Sequence, residues 1–245
     1  MKRTIFFIFL AAITIFFTKG AYAEWVLYDK FDSYADIQDM IDSGKWFISV
    51  DDQAIANFTI EGGRLKIEHL AGNPDDSAWA EIIKKPHKYR GIKATILVES
   101  WFEDARARIG AEVGTLRENP DYLVWDAMRL RNAWSESLQG YVPAVSGFAV
   151  VGDISADWEW QYDIFYTNLG WNKQAIVGVP YKLIATFNRK SIKFKVKEPD
   201  NLGGVMYRFT EKIDKLEEPF LAVGTRTSTN DATCVVYFDD VYVLR

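Results

Sequence analysis

Two carboxylates set two residues apart, Asp157 and Glu159, are spaced for acid–base chemistry. Glycoside hydrolysis needs a pair of carboxyl groups about 5–9.5 Å apart, and positions i and i+2 of a strand lie about 6.6 Å apart. Both sit in the run Asp157-Trp158-Glu159-Trp160-Gln161-Tyr162-Asp163, where alternation puts the aromatics on one face and the polar residues on the other. A second polar set is Arg106, Arg108 and Glu112 within Ala105–Val113. If Ala105, Ala107, Ile109 and Ala111 face a core, the two arginines face outward. Their guanidinium forks, with Glu159 and Gln161, suit sugar hydroxyls or a uronic carboxylate. The same residues fit a solvated sheet face with cross-strand ion pairs. Trp134 falls in the polar stretch Arg131–Ser137, read as a loop, and Trp125 and Trp171 also have polar neighbours. An indole held out of the core is a platform for the C–H face of a sugar. The alternative is packing between two sheets, the role assigned to Trp25, Trp46, Trp158 and Trp160.

Other chemistries are excluded by residue type. One cysteine rules out an internal disulfide and a cysteine-based zinc site, and Cys234 reads as a small hydrophobe in the last strand. The two histidines, His69 and His87, lie apart and without neighbouring ligands, as ordinary strand-end or loop residues. The chain contains no G-x-S-x-G, H-E-x-x-H, P-loop or G-x-G-x-x-G pattern.

The first 23 residues stand apart from these elements. Lys2 and Arg3 precede a 13-residue apolar run, Ile5–Phe17, and Ala21-Tyr22-Ala23 has the small-residue pattern of a cleavage site. A helix of that run spans about 20 Å, short of the roughly 30 Å hydrocarbon core of a membrane. Residues 1–23 therefore read as a cleaved secretory signal peptide, with the product secreted or periplasmic. The leader holds Lys2, Arg3 and Lys19 and no acid, so its loss takes the net charge from −5 to −8. An acidic product excludes nucleic acid and anionic lipid as main partners, and no stable membrane insertion is expected after cleavage.

The elements that must position the polar residues are strands. Arg64–Glu68, Ala105–Val113, Tyr181–Leu183 and Ser191–Lys197 alternate polar and apolar residues, the pattern of half-buried strands. Further apolar or aromatic runs include Trp25–Phe31, Trp46–Val50, Ile92–Glu99, Tyr122–Leu130, Val145–Val151, Trp158–Tyr166, Pro219–Thr225 and Cys234–Leu244. Gly62-Gly63 and Asn188-Arg189-Lys190 mark hairpins. Tyr34–Ile41 reads as one short helix capped by Asp32 or Ser33, and Lys193, Lys195 and Lys197 as the basic face of a solvated edge strand. Many strands, frequent turns and no linker composition predict one all-β domain over residues 24–245, a sandwich or barrel.

The ends of that domain carry a more specific pattern: Val26-Leu27-Tyr28-Asp29-Lys30-Phe31-Asp32 followed by Trp46, and the closing Val235-Val236-Tyr237-Phe238-Asp239-Asp240-Val241-Tyr242-Val243. With the Gly62-Gly63-Arg64-Leu65 hairpin between them, this order resembles the concanavalin A-like lectin/glucanase jelly rolls, laminin G-like domains included. The resemblance implies a two-sheet antiparallel jelly-roll β-sandwich that is a non-catalytic carbohydrate- or glycan-binding domain. A polysaccharide-degrading glycoside hydrolase, or a structural or protein-binding envelope domain, is the alternative. Glucanases of this superfamily carry an E-x-D-x-E strand. Asp157-x-Glu159-x-Gln161 has an amide for one acid and different apolar flanks, so no catalytic role is carried across. The resemblance also implies a structural calcium where first and last strands meet, held by Asp239 or Asp240 with Asp32 opposite. Those acids equally suit turn caps or bonds to backbone.

Overall fold

The computed structural model describes residues 23–50, 55–71, 77–102, 105–113, 122–135, 139–153, 176–188, 191–197, 205–212, 219–227 and 231–245. They form β1 (Trp25–Asp29), α1 (Ile37–Asp42), β2 (Trp46–Val50), β3 (Ile55–Glu61), β4 (Arg64–Ala71), β5 (Ser77–Ile82) and β6 (Gly91–Phe102). There follow β7 (Ala105–Val113), β8 (Tyr122–Ser135), β9 (Gly140–Asp153), β10 (Pro180–Asn188), β11 (Ser191–Lys197), β12 (Val205–Lys212), β13 (Pro219–Thr227) and β14 (Thr233–Leu244). No helix among the described residues is long and apolar enough to cross a membrane.

The strands pair antiparallel in two sheets. An eight-stranded sheet runs β12-β11-β10-β6-β14-β4-β3, with β1 added along β14, and a six-stranded sheet runs β2-β5-β13-β7-β8-β9. Period-2 alternation sends Leu65, Ile67, Ile92, Ala94, Ile96, Leu183, Val236 and Phe238 of the first sheet inward. They meet Trp46, Ala78, Ala80, Ile82, Leu221 and Val223 of the second. The Gly62-Gly63 turn joins β3 to β4, both glycines at positive φ as a tight hairpin requires. Asn188 faces Ser191 across the β10–β11 turn, as predicted.

Three expectations are corrected. The helix begins later, at Ile37, because the Asp36 side chain caps it by accepting the Asp39 N–H. Lys193, Lys195 and Lys197 lie on β11, an interior strand between β10 and β12, so the basic run does not mark an edge. Trp134 lies in β8, paired with Tyr141 of β9, not in a loop. The strand expected over Trp158–Tyr166 falls outside the described residues.

Candidate functional site

Of the predicted polar set, Arg106, Arg108 and Glu112 lie on β7 of the six-stranded sheet. On β5 and β13 the inward positions are Ala78, Ala80, Ile82, Leu221 and Val223, and Thr225 reaches across the layers to His69 (Oγ1 to Nδ1, 3.0 Å). The opposite face therefore carries Ser77, Trp79, Glu81, Ala222, Gly224 and Arg226. β7 continues it in register, with Arg106 opposite Arg226, Arg108 opposite Gly224, Gly110 opposite Ala222 and Glu112 opposite Phe220. Arg106, Arg108 and Glu112 thus share one face of an interior strand, the face turned from the core.

The register separates the aromatic candidates. Trp125 pairs with Glu112 and shares the arginine face, whereas Trp134 is offset from Arg131 and Arg129 by odd numbers of residues and belongs to the other face. Sequence reading placed Trp134 in a loop, where parity has no meaning, and so grouped it with the arginines. Asp157, Glu159, Gln161 and Trp171 lie outside the described residues.

Part of this face is closed. Trp79 lies over Gly224, where an added Cβ would strike the indole and the Ala78 carbonyl, and it is 7% exposed. Ala222 is fully buried and Ser77 and Glu81 nearly so. The β5 and β13 part of this face around Trp79, Glu81 and Ala222 is therefore covered, while Phe47 of β2, opposite Glu81, is about half exposed.

No family model matches the chain, and no curated protein matches it in sequence. Solved structures do match. The carbohydrate recognition domain of Emp46p, in its potassium-bound form, aligns over 90% of this chain and 98% of its own, with a TM-score of 0.53 and 11% identity. Lectin I-B4 from Griffonia simplicifolia, in its metal-free form, aligns over 91% and 98%, with a TM-score of 0.50 and 12% identity. The fold is the concanavalin A-like jelly roll.

Of the acids expected to hold calcium, Asp239 and Asp240 sit at an irregularity of β14. β14 shifts register against β6 between Asp239 and Tyr242, and its other edge passes there from β4 to β1. Asp240 adopts φ +46° at this bulge, and its N–H donates to Asp239 Oδ1 at 2.7 Å. Burial holds the Asp239 carboxyl above its ordinary value, and the Asp240 charge adds to this against Arg64 and Lys30. Asp32 is exposed, its backbone packed over Gly63 of the hairpin turn. Among the described residues no group of three or more His, Cys, Asp or Glu is placed to hold a metal. The bulge gives the paired acids of the last strand a structural role.

Sequence reading missed Asp29. This buried β1 carboxylate accepts from the Tyr34 hydroxyl (2.6 Å), Trp46 Nε1 (2.8 Å) and the Phe31 N–H (3.1 Å), and pairs with Lys45 Nζ (3.2 Å). Burial raises its pKa, yet the bonds from Tyr34, Trp46 and Phe31 and the Lys45 charge outweigh burial and hold it below the ordinary carboxylate range. Phe31, at φ +65° and fully buried, is kept in the left-handed region by this bond and by packing on Trp46. The cluster fastens β1, α1 and β2 together.

Proposed function

We propose that this chain is a secreted or periplasmic, non-catalytic glycan-binding domain whose ligand lies against β7 and β8 of the six-stranded sheet. The observation that carries the reading is the shared face of Arg106, Arg108 and Glu112, with Trp125 in register beside Glu112. Guanidinium forks and a carboxylate bond sugar hydroxyls, and an indole covers a sugar's C–H face. The fold supports this reading through two neighbours that are by name a lectin and a carbohydrate recognition domain.

A glycan array probed with residues 24–245, with and without calcium, tests it. Binding to a defined glycan is expected. Arg106→Ala/Arg108→Ala and Trp125→Ala should each weaken it about tenfold or more while leaving the thermal midpoint near wild type. Silence on every glycan in both conditions would reject the reading. Export predicts a mature N-terminus at Glu24, read by the intact mass of the exported protein.

A further inference from the structure

The connection from β5 to β6 crosses from the six-stranded to the eight-stranded sheet, and it is basic. Lys84, Lys85, Lys88 and Arg90 set four cations within seven residues, with His87 among them, and residues 83–90 include no acid. All five side chains are exposed. The turn that displays them is fixed at its base. Tyr89 is buried, edge-on to Tyr28 at 6.0 Å. The Arg90 N–H donates to the Leu244 carbonyl (2.7 Å), and the Arg90 carbonyl accepts from the Phe187 N–H (2.9 Å). Pro86 opens a 3-10 turn, in which the Lys88 and Tyr89 N–H groups donate to the Lys85 and Pro86 carbonyls (3.1 and 3.0 Å). Lys85 stands at φ +58°, where glycine or asparagine sits at less cost, so the backbone supplies no reason for a lysine there.

Among the described residues none of the four cations forms an ion pair, whereas Lys45 meets Asp29 (3.2 Å) and Lys66 meets Glu61 (3.1 Å) and Glu68 (2.8 Å). The exposed acids around α1 are bonded within their own segment. Asp36 accepts from the Asp39 N–H, Asp39 from the Ala35 N–H and Asp42 from the Gln38 amide. Ile83 adjoins the cations and is 47% exposed, its N–H donating to the Lys45 carbonyl (3.0 Å). The chain also enters the fold here. Leu244, which accepts from Arg90, is followed by Arg245, and Arg245 exchanges both backbone bonds with Glu24. Residues 1–23, with their apolar run Ile5–Phe17, therefore join the fold beside the basic turn.

We infer that this turn docks on an anionic phospholipid bilayer, with headgroup phosphates on Lys84, Lys85, Lys88 and Arg90 and with Ile83 entering the headgroup layer. Exposed cations beside an exposed apolar side chain are the footprint of interfacial contact. Each cation near an anionic surface strengthens binding about fivefold, so four give a reversible peripheral contact rather than insertion. The point where residues 1–23 join favours a bilayer over a soluble polyanion, because a fold that follows a membrane-seeking segment presents this end to the membrane first. The net charge of −8 for residues 24–245 makes anionic lipid a poor partner for the surface as a whole, which confines the contact to this end. The contact is independent of glycan binding at β7 and β8.

Residues 24–245 are sedimented with vesicles of phosphatidylcholine alone and of an equal mixture with phosphatidylglycerol, at low and raised salt. Binding to the mixed vesicles but not to phosphatidylcholine is expected, weakening as salt rises. Lys84→Gln/Lys85→Gln should weaken it about tenfold or more with the thermal midpoint unchanged, and Ile83→Ser should weaken it several-fold. Lys84→Arg/Lys85→Arg, which keeps the charge, should hold binding within a few-fold. Lys193→Gln/Lys197→Gln removes the same charge from exposed positions of β11 and should leave binding near wild type. An equal loss in the β11 variant would overturn the inference, since total charge rather than this turn would then govern binding. So would wild-type affinity in Lys84→Gln/Lys85→Gln, or duplex DNA or heparin bound as tightly as the mixed vesicles at the same salt. Glycans bound on the array with mixed vesicles left unbound would overturn this inference alone. Vesicles bound with a silent array would remove the glycan reading and leave this one standing.

Discussion

Four donors from three segments converge on Asp29, which makes it the most demanding polar residue described. Asn in its place keeps one acceptor oxygen and turns an N–H₂ toward donors. Asp29→Asn should cost about 2–4 kcal/mol in denaturant unfolding. The folded carboxyl titrates below its unfolded value, so its contribution is complete above the ordinary carboxylate pKa. It is lost as pH falls through the lower folded value. Urea midpoints measured downward in pH should therefore fall through this acid range in the wild type and flatten in Asp29→Asn. Asp239 has the opposite sign. Its raised folded pKa weakens the fold once it ionises, so Asp239→Asn should raise the thermal midpoint at neutral pH while keeping an acceptor for the Asp240 N–H. Neither role was legible in sequence. Tyr34, Lys45 and Trp46 reach Asp29 from α1's approach and β2, and a single Asp at a strand end does not announce them. His69, read as a strand-end residue, is likewise buried by a partner 156 positions away.

At the scale of elements, alternation was a reliable guide wherever a strand has one wet face. β4, β7, β10 and β11 appear where period 2 predicted them. Composition misled where pairing overrides it. The polar stretch Arg131–Ser135 is strand because β9 supplies a partner at each position through Ser135–Gly140, and cross-strand pairing outweighs local propensity. The register of β13, β7 and β8 stayed hidden for a related reason. Arg106 and Arg108 are visible as a pair in one segment, but Arg129, Arg131 and Arg226 join them only through register. The bulge at Asp239 and Asp240 was likewise hidden, because a bulge cannot be seen in one sequence. A further strand position tests the packing. Gly224→Ala would drive a methyl group into the Trp79 ring and the Ala78 carbonyl, so a loss of about 1–3 kcal/mol in denaturant unfolding is expected.

At the scale of the molecule, the two sheets enclose one core, and Cys234 lies within it. Its thiol is 2% exposed and burial pushes its pKa up to about 12. A neutral buried thiol is a poor nucleophile. Labelling by a thiol reagent in native buffer should therefore be slow and follow unfolding, accelerating with urea along the curve reported by tryptophan fluorescence. The two-layer architecture was legible because it follows from many strands with an apolar face each; which face receives a ligand was not, because that depends on what closes over each sheet. The pairing of Glu24 with Arg245 bears on mechanics. Glu24 and Arg245 exchange both backbone bonds (3.2 and 3.0 Å), and β1 lies antiparallel along β14. Tension applied through these two residues pulls across that pair rather than along it. Its ladder bonds, perpendicular to the strands, then bear load one after another instead of together. Stretched between Glu24 and Arg245, the fold should open at low force, peeling β1 away as if undoing a zip, while the same force applied along β6 or β14 meets the whole sheet at once.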